Sequence, residues 1–331
     1  MKTKGRSKII AGIFSVLLTY FLIQPVNVNF AAEKYPTKPI KLIAPFAAGG
    51  GGDIMARKFA DLVGKSLGQE IIVDNKPGAG SAVGATFLAK ARPDGYTIGV
   101  LMSSIFVTAP FFSKVDYNPL TDFTPIIKHV DNNIWIMVPA DSPIKTLKDF
   151  IEEARKRLVT VSCTGMTSTE MAVLLLARQE KANFKLIPFG GSGASITAVL
   201  GKQVDAWAGV GMSQYVEAGK LRMIVRLNGK PKEGPFKNVP TLKQLGYDIE
   251  GASFAGIGGP KGLSEPIRKK LEDEFTRALH NPSMLQLIGT DNYIVDYKNS
   301  NDFGKYLKEV YERANKEFKE LELGIYAKDK K

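Results

Sequence analysis

Short apolar runs alternate along most of the chain with longer stretches in which apolar residues recur every three or four positions, the signature of strands and helices in turn. Residues 40–44 read as a strand and 53–67 as a helix with Met55, Phe59, Leu62, Val63 and Leu67 on one face. A second strand, 70–74, is continuously apolar in its middle (Ile71, Ile72, Val73), as buried parallel strands tend to be. A helix over 81–91, the turn Arg92-Pro93-Asp94-Gly95 and a strand over 96–102 complete a βαβαβ unit. A second unit follows: strands at 134–138, 159–162, 184–188, 204–210 and 221–226, with helices at 147–156, 169–179 and up to Leu200. An apolar, glycine-spaced stretch at 252–258, a helix from Pro266 to His280, a strand near 293–297 and an amphipathic helix over 302–323 close the chain. Asn281-Pro282 reads as the stop of the first of these two helices. The order predicts two α/β lobes joined by two crossings, near 128–133 and 248–254.

Glycine interrupts this pattern where strands hand over to helices. Pro45-Phe46-Ala47-Ala48-Gly49-Gly50-Gly51-Gly52-Asp53 and Pro77-Gly78-Ala79-Gly80-Ser81 each follow a strand and open a helix. Backbone without Cβ atoms can approach a ligand closely, and a helix start offers unpaired N–H groups with a partial positive charge. Two such turns make a cradle for an anion, above all a carboxylate. Ser103 and Ser104 follow the third strand, so all three loops are expected at one crevice, beyond the C-terminal strand ends. The second unit repeats the arrangement with Thr164, Thr167 and Ser168 at a helix start and a third turn, Phe189-Gly190-Gly191-Ser192-Gly193. Valine at Gly50 or Gly78 is expected to impair binding more than the stability of the unliganded protein.

The N-terminus adds a destination. Lys2, Lys4, Arg6 and Lys8 precede an apolar run from Ile9 to Ile23, too short to span a bilayer, and small residues follow at Ala31-Ala32. Residues 1–31 therefore read as an export signal and the protein as periplasmic. The formal charge is +12; the leader carries four cations and no acid, leaving +8. Those lysines are scattered rather than interleaved with aromatics, which argues against a nucleic-acid partner. Cys163 is the sole cysteine, so no intrachain disulfide can form.

Rival chemistries find little support. No Gly-x-x-x-x-Gly-Lys-Ser/Thr occurs, and residues 78–84 miss the Gly-x-Gly-x-x-Gly spacing by one. The elbow Gly-x-Ser-x-Gly is broken at Ala194, and only His129 and His280 are available as a base. Two distant histidines and one cysteine do not make a metal ligand set. Trp135 and Trp207 read as core, whereas Phe46 sits where an aromatic ring can cover a ligand. No cofactor and no catalytic residue are predicted.

Six stretches, in order, carry a resemblance: Tyr35-Pro36-Thr37-Lys38-Pro39-Ile40, residues 45–57, Asn75-Lys76-Pro77-Gly78-Ala79-Gly80, Asp94-Gly95-Tyr96-Thr97-Ile98, Gly201-Lys202-Gln203-Val204-Asp205 and Val239-Pro240-Thr241-Leu242. With them the chain resembles the extracytoplasmic solute receptors of tripartite tricarboxylate transporters, the Bug or TctC-like family. The resemblance implies a two-lobed periplasmic binding protein of the type II, Venus-flytrap kind. Lobe 1 would comprise 32–130 with 252–331, and lobe 2 would comprise 131–251. The implied ligand contacts are Phe46, Ala47, Ala48, Gly49, Gly50, Gly78, Ala79, Gly80 and Ser81 in lobe 1, then Thr164, Thr167, Ser168, Gly190, Gly191 and Asp205 in lobe 2. Ser103 and Ser104 join them from the loop geometry. The implied partners are a small organic anion and integral-membrane transporter subunits, with the receptor a monomer. A sensor subunit docking on a receptor kinase uses the same grip, and an exported hydrolase would depend on Ser192. The chain departs from the family pattern at two places: Met166 and Glu170 stand where a Gly/Ser-rich run ends in histidine, and Phe189-Gly190-Gly191 replaces a Tyr-Lys-Gly turn. Glu170 either caps its helix or faces the cleft, where it would disfavour a second carboxylate.

Overall fold

The computed structural model describes residues 35–165, 168–189, 192–229, 236–290 and 293–327. The leader 1–31 and the site candidates Thr167, Gly190 and Gly191 lie outside the described residues. Strand β1 (Ile40–Ala44) leads through the first glycine turn into α1 (Gly51–Leu67), which buries Met55, Ala56, Phe59, Ala60 and Val63. Each large apolar side chain buried this way contributes about 1.5–3 kcal/mol relative to exposure. The helix ends at Gly68, whose left-handed conformation directs its amide to the Gly64 carbonyl. Strand β2 (Ile71–Asn75), the second glycine turn, α2 (Ala82–Ala89) and β3 (Thr97–Met102) follow.

Beyond β3 the chain makes two short helices, α3 (Ser103–Val107) and α4 (Ala109–Phe112), then β4 (Phe123–Asn132). A second group of elements comprises β5 (Ile134–Pro139), α5 (Leu147–Lys156), β6 (Val159–Cys163), α6 (Ser168–Glu180) and β7 (Phe184–Pro188). It continues with α7 (Ser192–Leu200), β8 (Ala206–Val210), α8 (Gln214–Glu217) and β9 (Leu221–Arg226). The chain then returns in β10 (Phe254–Pro260), α9 (Glu265–Leu279), α10 (Pro282–Thr290), β11 (Tyr293–Lys298) and α11 (Ser300–Glu320).

These strands form two sheets. One has the order β11-β4-β10-β3-β1-β2, the other β7-β6-β8-β5-β9. In the first, β1 runs parallel to β2 and β3, while β10 lies antiparallel between β3 and β4. The C-terminal ends of β1, β2, β3 and β4 therefore share one edge with the starts of β10 and β11. Both glycine turns, Ser103-Ser104 and the passage from Asn132 to the second sheet all emerge there. In the second sheet β6 is parallel to β7 and β8, so Thr164 follows a C-terminal strand end in the same manner. The two sheets meet through α6, which contacts α3 and buries Met171 against the Phe254 cluster of the first sheet.

Three elements depart from the sequence reading. Residues 128–132, expected within the crossing near 128–133, belong to a ten-residue strand of the first sheet, Phe123–Asn132. The serines 103 and 104 open a helix rather than a loop. Asn281-Pro282 ends α9 but also starts α10, because proline suits a first helical turn, where its missing N–H is no loss.

Candidate binding site

Asp53 builds the first turn. Its Oδ2 accepts the Gly49 amide at 2.9 Å and Arg57 Nε at 2.9 Å, and its Oδ1 accepts Asn75 Nδ2 at 2.9 Å. Asn75 also donates to the Phe46 carbonyl at 3.1 Å, tying the turn to the end of β2. The Arg57 guanidinium above all, with the Gly49 amide and Asn75, holds the buried Asp53 carboxyl down to about 2. One turn amide is thus consumed internally. Those of Ala47, Ala48, Gly50, Gly51 and Gly52 meet no acceptor among the described residues, and residues 47–50 are exposed. This is what an anion cradle at a helix start requires.

The second turn has an unusual backbone. Gly78, Ala79, Gly80 and Ser81 have φ of 125°, 45°, 60° and 78°, four successive residues on the left-handed side. Alanine and serine in that region cost about 1–2 kcal/mol each, and such strain gathers at binding sites. The Gly78, Ala79 and Gly80 amides find no acceptor among the described residues and lie exposed. Gly84 brings this turn onto the first: a Cβ there would stand 2.8 Å from Pro45 Cβ. Ser104 Oγ donates to Ser81 Oγ at 3.0 Å, so Ser104 joins the same cluster, with Ser103 beside it in sequence. Replacing Ala79 with glycine is expected to leave stability unchanged or raise it by up to about 1 kcal/mol, reversing the usual cost of glycine. Urea unfolding checks this; a loss of about 1 kcal/mol would show the backbone is unstrained there.

The structure amends the expectation for glycine replacements. Gly78 has φ of 125° and a Cβ would touch Val83 Cγ2 at 3.0 Å, so valine there lowers stability as well as binding. Gly50 has φ of −81° and open space around a Cβ, so it alone separates the two effects.

In the second sheet Thr164 is exposed at the end of β6, but its amide donates to Glu170 Oε1 at 3.3 Å. Glu170 is 1% exposed in the first turn of α6, where its charge suits the helix dipole. Burial first, then the neighbouring Glu170, pushes the Cys163 thiol up to about 11, which leaves it unreactive. Ser168 donates its hydroxyl to the Ala252 carbonyl, so it fastens α6 to the returning chain rather than reaching into a cleft.

Asp205 does not reach the cluster. It precedes β8, at the end of the sheet opposite Thr164, and the length of β6 lies between them. Its Oδ1 accepts Arg157 Nη2 at 2.8 Å and its Oδ2 accepts the Thr160 amide and hydroxyl, each at 2.8 Å. Against a burial effect that raises it, these bonds from Arg157 and Thr160 hold its carboxyl below the usual range. Asp205→Ala is accordingly expected to leave ligand preference unchanged while costing about 1–2 kcal/mol of stability, measurable by calorimetric titration beside chemical unfolding. Trp135 and Trp207 are fully buried, as the sequence suggests.

Sequence reading overlooked a cavity of about 170 Å³ under the first turn. Phe46, Ala47, Gly50, Met55, His129 and Asn132 are among the residues that line it. Its signal was diffuse, since the lining comes from five separate stretches of the chain. A larger hollow of about 620 Å³ runs along α1 and β2 and touches neither turn.

Two mixed sheets with glycine turns and unpaired amides at one edge make a two-lobed α/β fold with an exposed anion cradle. Residues 55–323 match the tripartite tricarboxylate transporter family receptor, TctC. The chain belongs to that family. It is 34% identical over 291 residues, 85% of this chain and 87% of the other, to the UPF0065 protein in the gbd 5′ region of Cupriavidus necator. The crystal structure of a TctC solute-binding protein from Polaromonas superposes with a TM-score of 0.77 at 28% identity, covering 86% of this chain and 99% of that one. MatC from Rhodopseudomonas palustris, solved with bound malate, gives 0.71 at 26% identity over 86% and 99%.

Proposed function

We propose that this receptor captures a small organic carboxylate outside the cytoplasm and delivers it to membrane subunits of a tripartite transporter. The carrying observation is the pair of adjoining turns whose exposed amides lack partners, at the strand ends where α/β sheets bind ligands. Bound malate in MatC supports the same ligand class. The carrier is assigned to the periplasm as a monomer released from its leader; among the described residues no helix is long and apolar enough to cross a membrane.

Lobe 1 is assigned to 32–130 with 252–331 and lobe 2 to 131–251, with the crossings acting as the hinge. Ligand held by Phe46, Ala47, Ala48, Gly49, Gly50, Gly78, Ala79, Gly80, Ser81, Ser103 and Ser104 adds contacts to the α6 start only when the lobes close. It therefore shifts the population toward the closed form. Gly49 acts through its left-handed conformation, which shapes the turn, since its amide is held by Asp53. Calorimetric titration with mono- and dicarboxylates against their uncharged amides tests this reading. Heat with acids alone supports it; equal response to the amides contradicts it.

A further inference from the structure

The cavity under the first turn carries more than packing. It lies on the α1 face of the first sheet, at the edge where the turns emerge, and Phe46, Ala47 and Gly50 form its wall on the cradle side. Its 170 Å³ is close to the roughly 150 Å³ apolar cavity that accommodates benzene. The lining is mostly apolar; its polar side chains are His129, Asn132 and Tyr293, and the first two each leave a buried atom without a partner among the described residues. His129, 2% exposed, leaves Nδ1 buried and unbonded, and Asn132 leaves Oδ1 so while its Nδ2 donates to Ser253 Oγ at 2.7 Å. A buried polar atom left unbonded is costly, so a bound molecule that satisfies it gains selectivity.

A bulge aims His129 there. Strand β10 pairs Ala255 with Val130 and then Gly256 with Lys128, so His129 is the extra residue on β4. Its ring packs edge-on against Phe59 of α1, 4.9 Å between centroids. Burial, with the neighbouring Lys128 charge, pushes it down to about 3, so the imidazole is neutral. In the second sheet, the α6 start already holds the buried Glu170 carboxylate on the Thr164 amide. A second ligand carboxylate would meet like charge there, with the Thr164 amide already taken.

Resting on the carboxylate-receptor reading, we infer that this cavity is a lobe-1 subsite for the apolar body of the ligand, and that the ligand is a monocarboxylate with a single ring, or a branched chain of that size, bearing a hydroxyl for His129 and Asn132. The carboxylate sits on the turn amides and the ring enters past Gly50 and Phe46.

Calorimetry on the mature chain with benzoate, 4-hydroxybenzoate, malate and adipate tests this. Burial of a ring predicts that 4-hydroxybenzoate binds at least about tenfold tighter than malate or adipate, and tighter than benzoate. Ala56→Leu, which narrows the cavity from α1, is expected to remove the aromatic preference. His129→Leu is expected to equalise benzoate and 4-hydroxybenzoate, a readout independent of the first variant. Malate or adipate binding more tightly than both aromatic acids overturns the subsite but leaves the receptor reading intact. So does an aromatic preference unchanged in both variants. Silence from all four acids overturns both.

Discussion

Asp53→Ala is expected to lower stability by about 2–3 kcal/mol and weaken carboxylate binding at least about tenfold. Three donors, the Gly49 amide, Arg57 Nε and Asn75 Nδ2, would lose their acceptor together. The Asn75 bond to Phe46 would then hold the turn alone. The same carboxylate sets an acid dependence. Its folded value is depressed from 3.8 to about 2, so its contribution is complete above about pH 4 and is lost as pH falls through about 2. The depression corresponds to about 2 kcal/mol. Chemical unfolding of both proteins between pH 6 and pH 2 should therefore show the gap narrowing toward the acid end. A constant gap would mean that Asp53 acts by packing alone.

Gly50→Val is expected to be the complementary case, silent in the unliganded protein beyond about 1 kcal/mol for the weaker helix cap. No atom lies within 4 Å of the position a Cβ would take, and the backbone is in the extended region open to any residue. The side chain instead fills the space the amides face. Losing two charge-assisted hydrogen bonds, each about 1.5–3 kcal/mol, weakens binding at least about 100-fold. Thermal unfolding together with calorimetric titration separates these effects. Equal losses in both would show that Gly50 serves only the turn.

The first sheet's parallel strands and long helices were legible because their cues are local. The face of α1 repeats at helical spacing, and β2 carries an unbroken apolar middle. The glycine turns were legible for the same reason, and their adjacency followed from the strand order. The run of positive φ at Ala79 and Ser81 was not, because neither residue type announces a left-handed conformation. Only the surrounding packing of Gly84 on Pro45 and of Ser81 on Ser104 enforces it. That Asp205 lies at the sheet end opposite Thr164 was not legible, because family resemblance fixes sequence position but not which partners a side chain meets. Its partners, Arg157 and Thr160, come from a different strand and helix. The cavity around His129 depends on a bulge created by long-range pairing with β10, and no window along the chain records such a pairing.

On the proposed reading, the turn amides themselves bind the anion. Amide chemical shifts of ¹⁵N-labelled mature protein, followed during titration with 4-hydroxybenzoate and malate, address it directly. The largest perturbations are expected on Ala47, Ala48, Gly50, Gly51, Gly52, Gly78, Ala79 and Gly80, with Gly49 moving less because Asp53 already holds it. Saturable binding that leaves those amides unmoved and shifts others would contradict that reading.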